Sequence, residues 1–193
     1  MLPRNLFIIV EGPDNVGKST LIQNLKNYYH SMPFHTMHYS NVRQETPEEV
    51  QIYSKRLYTQ MFDIMLNQMK YGNSGIIFDR SHLGEMVYGP IYRGYTGEYV
   101  LDIEKQYMNI LDVWNNLLLV TLVDTPENLI AREDGLSFTT DLGKKQIEIG
   151  NFMNAASSSN IKHKILINIQ SHDEKKVLAA VAGYIEQNMK GLL

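Results

Sequence analysis

The chain has 193 residues, 44% of them hydrophobic, with 18 Lys+Arg against 21 Asp+Glu and a formal net charge of −3. That is enough apolar material for one sizeable core in a single domain over residues 1–193, and the lack of a basic block argues against a nucleic-acid partner. No cysteine is present, which excludes disulfides and thiolate metal sites.

Taken in chain order, residues 6–10 form a short continuous apolar run, the pattern of a strand buried on both faces. A glycine-framed loop follows, then an amphipathic helix over 19–29. Residues 34–39 are a second strand. Pro47, Glu48 and Glu49 mark a helix start, and the apolar stripe from Ile52 to Met69 carries that helix to about residue 70. Gly72 to Gly75 form a turn, and residues 76–78 a strand ending at Asp79. Residues 80–97 are polar and punctuated by glycine. The spacing predicts one helix over 98–114, whose amphipathic pattern makes it the candidate face for a homodimer. A strand is expected over 117–123, a helix from 125, an irregular segment over 132–143, a helix over 144–156, a strand over 165–169 and a last helix over 173–189. Short strands alternating with helices predict an α/β fold, a parallel five-stranded sheet with helices on both faces. Right-handed crossovers place every strand's C-terminal end on one edge, where Glu11, Asp79 and Asp124 each follow an apolar strand. The run at 117–123 is too short to cross a membrane. No apolar segment of signal length precedes the first strand, so no membrane association and a cytoplasmic location are expected.

Gly12-Pro13-Asp14-Asn15-Val16-Gly17-Lys18-Ser19 matches G-x-x-x-x-G-K-[ST], set between a strand and a helix as that motif requires. The backbone N–H groups of such a loop cradle phosphate oxygens, and the helix that follows adds its unpaired N–H groups and positive end. Lys18 is expected to bridge the terminal phosphates of ATP, Ser19 to offer its hydroxyl to Mg²⁺, and Thr20 to support the loop or the α-phosphate. Mg²⁺ also calls for a carboxylate, for which Asp79 is the candidate. Arg80 and Arg43 each follow a strand at the same edge. The planar fork of arginine suits a phosphate group, so two of them near the γ-phosphate point to a phosphorylated small-molecule acceptor. In the segment beyond Arg80, Glu85 is placed to meet a sugar hydroxyl or base amine, Tyr88 and Tyr92 to stack on a base, and Arg93 to reach a phosphate. His82, Tyr88 and Tyr92 read equally well as packing residues, and Phe34 and Phe62 fit either the lining of a base pocket or core packing.

"EGPDNVGKST" followed by "FDRSHLGEMVYG" resembles the thymidylate kinase group of P-loop nucleoside monophosphate kinases, and "LVDTPENLIARED" is similar to that group's fourth strand and its approach to an arginine-bearing lid. The resemblance implies a P-loop kinase fold and transfer of the ATP γ-phosphoryl group to a nucleoside monophosphate, dTMP foremost. It also implies site roles. Asp14 corresponds to the acidic loop residue near the acceptor, Arg43 and Arg80 to arginines at the acceptor phosphate, Asp79 to the Mg²⁺-side aspartate, and Arg132 to the first lid arginine. Catalysis would then fall to Lys18, Arg80, Asp14 and Arg132, with a candidate lid over 132–145. Homodimers are common in the group. This sequence departs from the family where further lid arginines stand, since "REDGLSFTTDLGKKQ" offers only Arg132 and, beyond it, Lys144 and Lys145. Two other functions share the loop. A nucleoside kinase would phosphorylate a 5′-hydroxyl and need a carboxylate base from Glu11, Asp14 or Glu45. A nucleotide-dependent switch would hydrolyse its ligand slowly, but no guanine-reading Asn/Thr-Lys-x-Asp stretch stands at a strand end.

Overall fold

The computed structural model describes residues 4–39, 46–107 and 109–189. Five parallel strands, β1 (Leu6–Glu11), β2 (Phe34–His38), β3 (Gly75–Asp79), β4 (Leu117–Val123) and β5 (His163–Asn168), lie in the order β2-β3-β1-β4-β5. The register pairs Val10 with Asp79 and Glu11 with Thr121. The acids that end β1 and β3 therefore emerge side by side at the C-terminal edge, as the sequence predicts.

The central strand explains why helices cover both faces. Every residue of β1 is buried, and its side chains alternate between two cores. Leu6, Ile8 and Val10 pack against Leu21 and Leu25 of α1 (Lys18–Tyr28) and against Val181 and Ile185 of α8 (Glu174–Asn188). Phe7 and Ile9 pack on the other side, against Met61, Phe62 and Met65 of α2 (Pro47–Tyr71). Phe62 lies wholly within that core, stacked on Tyr107 at 4.9 Å, and Phe34 packs over Gly75. Both phenylalanines have packing roles rather than lining a base pocket.

Helix starts follow local chemistry. Thr46 caps α2 through a reciprocal pair with Glu49, with Pro47 in the first turn, which satisfies two otherwise unpaired donors. Thr125 caps α6 (Pro126–Ala131), Asp141 caps α7 (Leu142–Ser158) and Asp173 caps α8.

Two expectations need correction. The single helix over 98–114 is in fact α4 (Tyr99–Tyr107) and α5 (Leu111–Asn116), with the Ile110 N–H donating to the Tyr107 carbonyl between them. The apolar side of α4, with Val100, Ile103 and Tyr107, is buried within the chain, so its amphipathic pattern is explained without a second copy. The segment 80–97 is also more ordered than its glycines imply. It contains α3 (Gly84–Tyr88) and a π-helical turn, Gly89–Arg93.

A buried histidine–carboxylate hydrogen bond joins α4 to the segment that follows β3. His82 Nε2 and Glu104 Oε1 lie 2.7 Å apart with both side chains fully buried. Glu104 also accepts from the Ser159 hydroxyl (2.6 Å), the Asn160 N–H (2.5 Å) and Asn160 Nδ2 (3.0 Å). Burial pushes its carboxyl pKa up, but the bond from His82 and those from Ser159 and Asn160 outweigh it and hold the pKa below the usual value. The unfolded chain therefore binds this proton more readily. The stability contributed is complete above about pH 4.5 and is lost as pH falls through the folded pKa. Glu104→Leu, which strands His82, is expected to cost about 3–5 kcal/mol in urea unfolding at pH 7.

Candidate functional site

The phosphate loop joins β1 to α1. Gly12 (φ 144°) and Gly17 (φ 89°) take backbone conformations that favour glycine, and a Cβ on Gly12 would overlap the Leu122 carbonyl oxygen of β4. Gly12→Ala is therefore expected to destabilise the protein by about 1–3 kcal/mol, read from the urea midpoint. Buried Val16 pins the loop to the core, and no side chain caps the N-terminus of α1. The first N–H groups of that helix thus remain available to an anion. Ser19 and Thr20 are exposed at its first turn.

Lys18 folds back over this loop. Its Nζ donates to the carbonyls of Gly12 (3.0 Å) and Pro13 (2.7 Å). Burial, and next the nearby Arg80 charge, lower its pKa to about 8, against the opposing pull of Asp14, Asp79 and Glu11. The ammonium is thus poorly solvated and has no ion-pair partner among the described residues.

Arg80 and Asp14 meet as an ion pair beside it. Arg80 takes a positive φ of 72°, a strained value for a residue with a side chain, while its N–H still donates to the Val10 carbonyl at 3.0 Å. This backbone turns the guanidinium back toward the loop, and Nη1 donates to the Tyr88 hydroxyl at 3.3 Å. Lys18, Asp14, Arg80 and Tyr88 line one cavity of about 860 Å³, toward the upper end of the range of about 300–1,000 Å³ for small-molecule sites.

Asp79 and Glu11, at the ends of β3 and β1, are among the acids that border the cavity. Asp79 Oδ2 lies 2.9 Å from His38 Nδ1. Its Oδ1 is buried, with no hydrogen-bond partner among the described residues. Glu11 accepts from the Ser81 hydroxyl (2.6 Å) through Oε1, and its Oε2 is likewise buried and unpaired. Burial raises the Glu11 pKa, outweighing the Ser81 bond and the charges of Arg80 and Lys18. No group of three or more His, Asp or Glu among the described residues is placed to hold a metal unaided. One hydroxyl with one or two carboxylates is instead the set that suits Mg²⁺, which fills its shell with waters and phosphate oxygens. Ser19 with Asp79 fits that pattern, and the unpaired Asp79 oxygen is the observation in its favour.

Within the 132–145 segment, residues 132–138 lie against the loop and the cavity. Asn15 (φ 64°) donates through Nδ2 to Glu133 Oε2 (3.2 Å) and to the Ser137 hydroxyl (3.1 Å). Phe138, 61% exposed, stacks on Tyr92 at 5.1 Å and leans on Tyr88 at 5.2 Å. Arg132 lines the cavity while paired with Asp124 and donating through Nε to the Asn128 carbonyl at 3.0 Å. Lys145 does not serve as a second cation facing the loop. It is fully buried against Glu148 (3.2 Å), which also accepts from the Tyr92 hydroxyl (2.6 Å).

Of the residues picked out from sequence, 12–20, Asp79, Arg80, Glu85, Tyr88, Arg93 and Arg132 converge on the cavity or its loop. Arg43 and Glu45 lie outside the described residues. His82 turns away into the buried pair with Glu104. Sequence reasoning missed Tyr39, Tyr58, His38 and Phe138, which line the same space. No local pattern marks them, because they reach the cavity from β2, α2 and the 132–145 segment.

The architecture defines a P-loop nucleotide-binding α/β fold. No protein-family profile and no curated protein sequence matches the chain. Solved structures do. A thymidylate kinase from Candida albicans superimposes with a TM-score of 0.62 at 15% identity, over 96% of this chain and 92% of that one. The YorR protein of Bacillus subtilis, solved in complex with phosphorylated GDP, gives a TM-score of 0.62 at 17% identity, over 93% of this chain and 95% of that one. The chain therefore has the fold of a thymidylate kinase.

Proposed function

We propose that the protein is a nucleoside monophosphate kinase that transfers the γ-phosphoryl group of ATP to a nucleoside or deoxynucleoside monophosphate, with dTMP the expected acceptor. The observation that carries this reading is the placement of Arg80 in the same cavity as Lys18, a second anion receptor beside the phosphate loop. A nucleotide-dependent switch would not need it. The kinase named among the structural neighbours, and the nucleotide bound to the other, point the same way.

In this reaction an oxygen of the acceptor phosphate attacks the γ-phosphorus in line, and the bond from that phosphorus to the β–γ bridging oxygen breaks to release ADP. Both reactants are anions, so the work of the protein is positioning and charge stabilisation. The loop N–H groups and the α1 N-terminus hold the donor phosphates. Lys18 exchanges its two carbonyl partners for β- and γ-phosphate oxygens. Arg80 holds the acceptor phosphate, with Asp14 and the Tyr88 hydroxyl fixing its direction. Ser19 and Asp79 would hold Mg²⁺, which neutralises charge on the phosphates. The 132–138 segment covers the loop and limits access of water. Arg132 closes the donor side.

A screen of all common nucleoside and deoxynucleoside monophosphates with ATP and Mg²⁺ tests the proposal. Transfer to at least one of them is expected, and none would overturn it. A second reading, transfer to a nucleoside 5′-hydroxyl, is favoured by Glu11, a buried carboxylate with a raised pKa and an unpaired oxygen at the cavity, as a general base requires. Thymidine and dTMP assayed side by side separate the two.

A further inference from the structure

We infer that His38 is a positioning residue for the divalent cation: its imidazole holds one carboxylate oxygen of Asp79 so that the other is turned toward the metal. This inference rests on the reading above in which Ser19 and Asp79 hold Mg²⁺.

The sheet register brings the pair together. β2 and β3 are parallel, and His38 is paired with Asp79 as Thr36 is with Ile77. The ladder runs one bond further, from the Tyr39 N–H to the Asp79 carbonyl at 3.0 Å, which fixes the His38 backbone beside the carboxylate. Side chains alternate along a strand, so Asp79 projects to the same face as Ile77, and Ile77 packs with Leu21 and Leu25 of α1. Thr36 lies on that face too, with Lys26 Nζ of α1 3.5 Å from its hydroxyl. His38 and Asp79 therefore emerge at the strand ends on the side of α1, whose first turn carries Ser19. Both line the cavity with Ser19 and Lys18, and Asp79 acts electrostatically on Lys18.

The hydrogen bond divides the work of the carboxylate. A carboxylate can only accept, so His38 Nδ1 donates to Oδ2 at 2.9 Å. The terminal torsion of an aspartate is broad and roughly two-fold, and a bond to one oxygen selects one orientation. Oδ1 is then left buried with no hydrogen-bond partner among the described residues, which costs free energy until a ligand supplies one. A cation is a partner that satisfies it. The pair itself contributes little to the fold. The imidazole is 54% exposed and the carboxylate 20%, and ion pairs open to solvent add little stability. Its value lies in direction, as with other outer hydrogen bonds that orient a metal-binding carboxylate.

The test titrates Mn²⁺, a paramagnetic stand-in for Mg²⁺, into the protein with a non-hydrolysable ATP analogue held below the protein concentration, and reads bound metal by electron paramagnetic resonance. The parent is compared with His38→Ala, His38→Asn and Asp79→Asn. His38→Ala is expected to weaken Mn²⁺ binding by about 10- to 100-fold, the range for a lost outer partner of a metal ligand. His38→Asn keeps an N–H donor at the place of Nδ1 and should stay within about threefold of the parent. Any of the following overturns the inference and keeps the kinase reading. One is parental Mn²⁺ affinity in His38→Ala, and another is tighter binding there, which would make His38 a competitor of the cation. A third is a loss in His38→Asn as large as in His38→Ala. The last is a nitrogen coupling to Mn²⁺ in the parent that His38→Ala lacks, which would make the imidazole itself a ligand. If Asp79→Asn binds Mn²⁺ as the parent does, the assignment of Asp79 to the metal falls and this inference with it. If the parent binds no ATP analogue at all, the kinase reading falls as well.

Discussion

Lys18→Ala is expected to lower phosphoryl transfer by about 10³-fold or more, on the scale of lost charged donors at a transferring phosphoryl group, with little change in the thermal midpoint. The asymmetry follows from its surroundings. The ammonium is buried, its pKa is lowered to about 8, and its only hydrogen-bond partners among the described residues are two loop carbonyls. Between about pH 8 and the unfolded value of 10.5 the unfolded chain holds the proton and the folded chain does not, so stability rises with pH across that window. The charged lysine is thus a cost to the empty fold at pH 7, and removing it relieves that cost. ATP affinity has the opposite trend. Phosphate needs the ammonium, so binding should weaken above about pH 8 by up to about tenfold per unit. In Lys18→Arg that slope should vanish, because a guanidinium stays protonated. Isothermal titration of ATP from pH 7 to 9.5 reads both effects. Unchanged turnover in Lys18→Ala would remove the loop from the reaction.

Arg80→Ala is expected to lower kcat/KM for the acceptor by about 10²-fold, while the affinity for ATP stays within about threefold of the parent. Because Arg80 already takes a positive φ, alanine brings no new backbone strain, and Arg80→Gly is a control that relieves it. If the glycine and alanine variants lose acceptor use alike, the guanidinium is responsible and not the backbone. Weakened ATP binding with normal acceptor kinetics would put Arg80 at the donor phosphates. Asp14 loses its partner in these variants, so Asp14→Asn in the Arg80→Ala background is the double-mutant check. The two losses should add to less than their sum, since both residues act through one contact.

Local signals made most of the fold legible. β1, β3 and β4 are runs of apolar residues buried on both faces, and Thr46-Pro47 with Glu49, Thr125-Pro126 and Asp173 each mark a helix start by satisfying its free N–H groups. The apolar period of 98–114 continues across the break between α4 and α5, and periodicity alone carries no stop there. The segment 80–97 shows the converse. Its glycines look like loop punctuation, whereas Gly97 serves close packing against Glu85. The pairing of Arg93 with Glu85, the turn of Lys145 away from the loop and the arrival of Phe138 beside Tyr92 could not be found locally, because each depends on elements distant in the chain.

The phosphate loop and the Asp79-Arg80 step were therefore legible in the sequence itself, since each is a run of covalent neighbours. Tertiary structure alone decided which arginine faces the loop and which is held by a buried carboxylate. A guanidinium's role depends on the charge packed against it, and that charge arrives from another part of the chain.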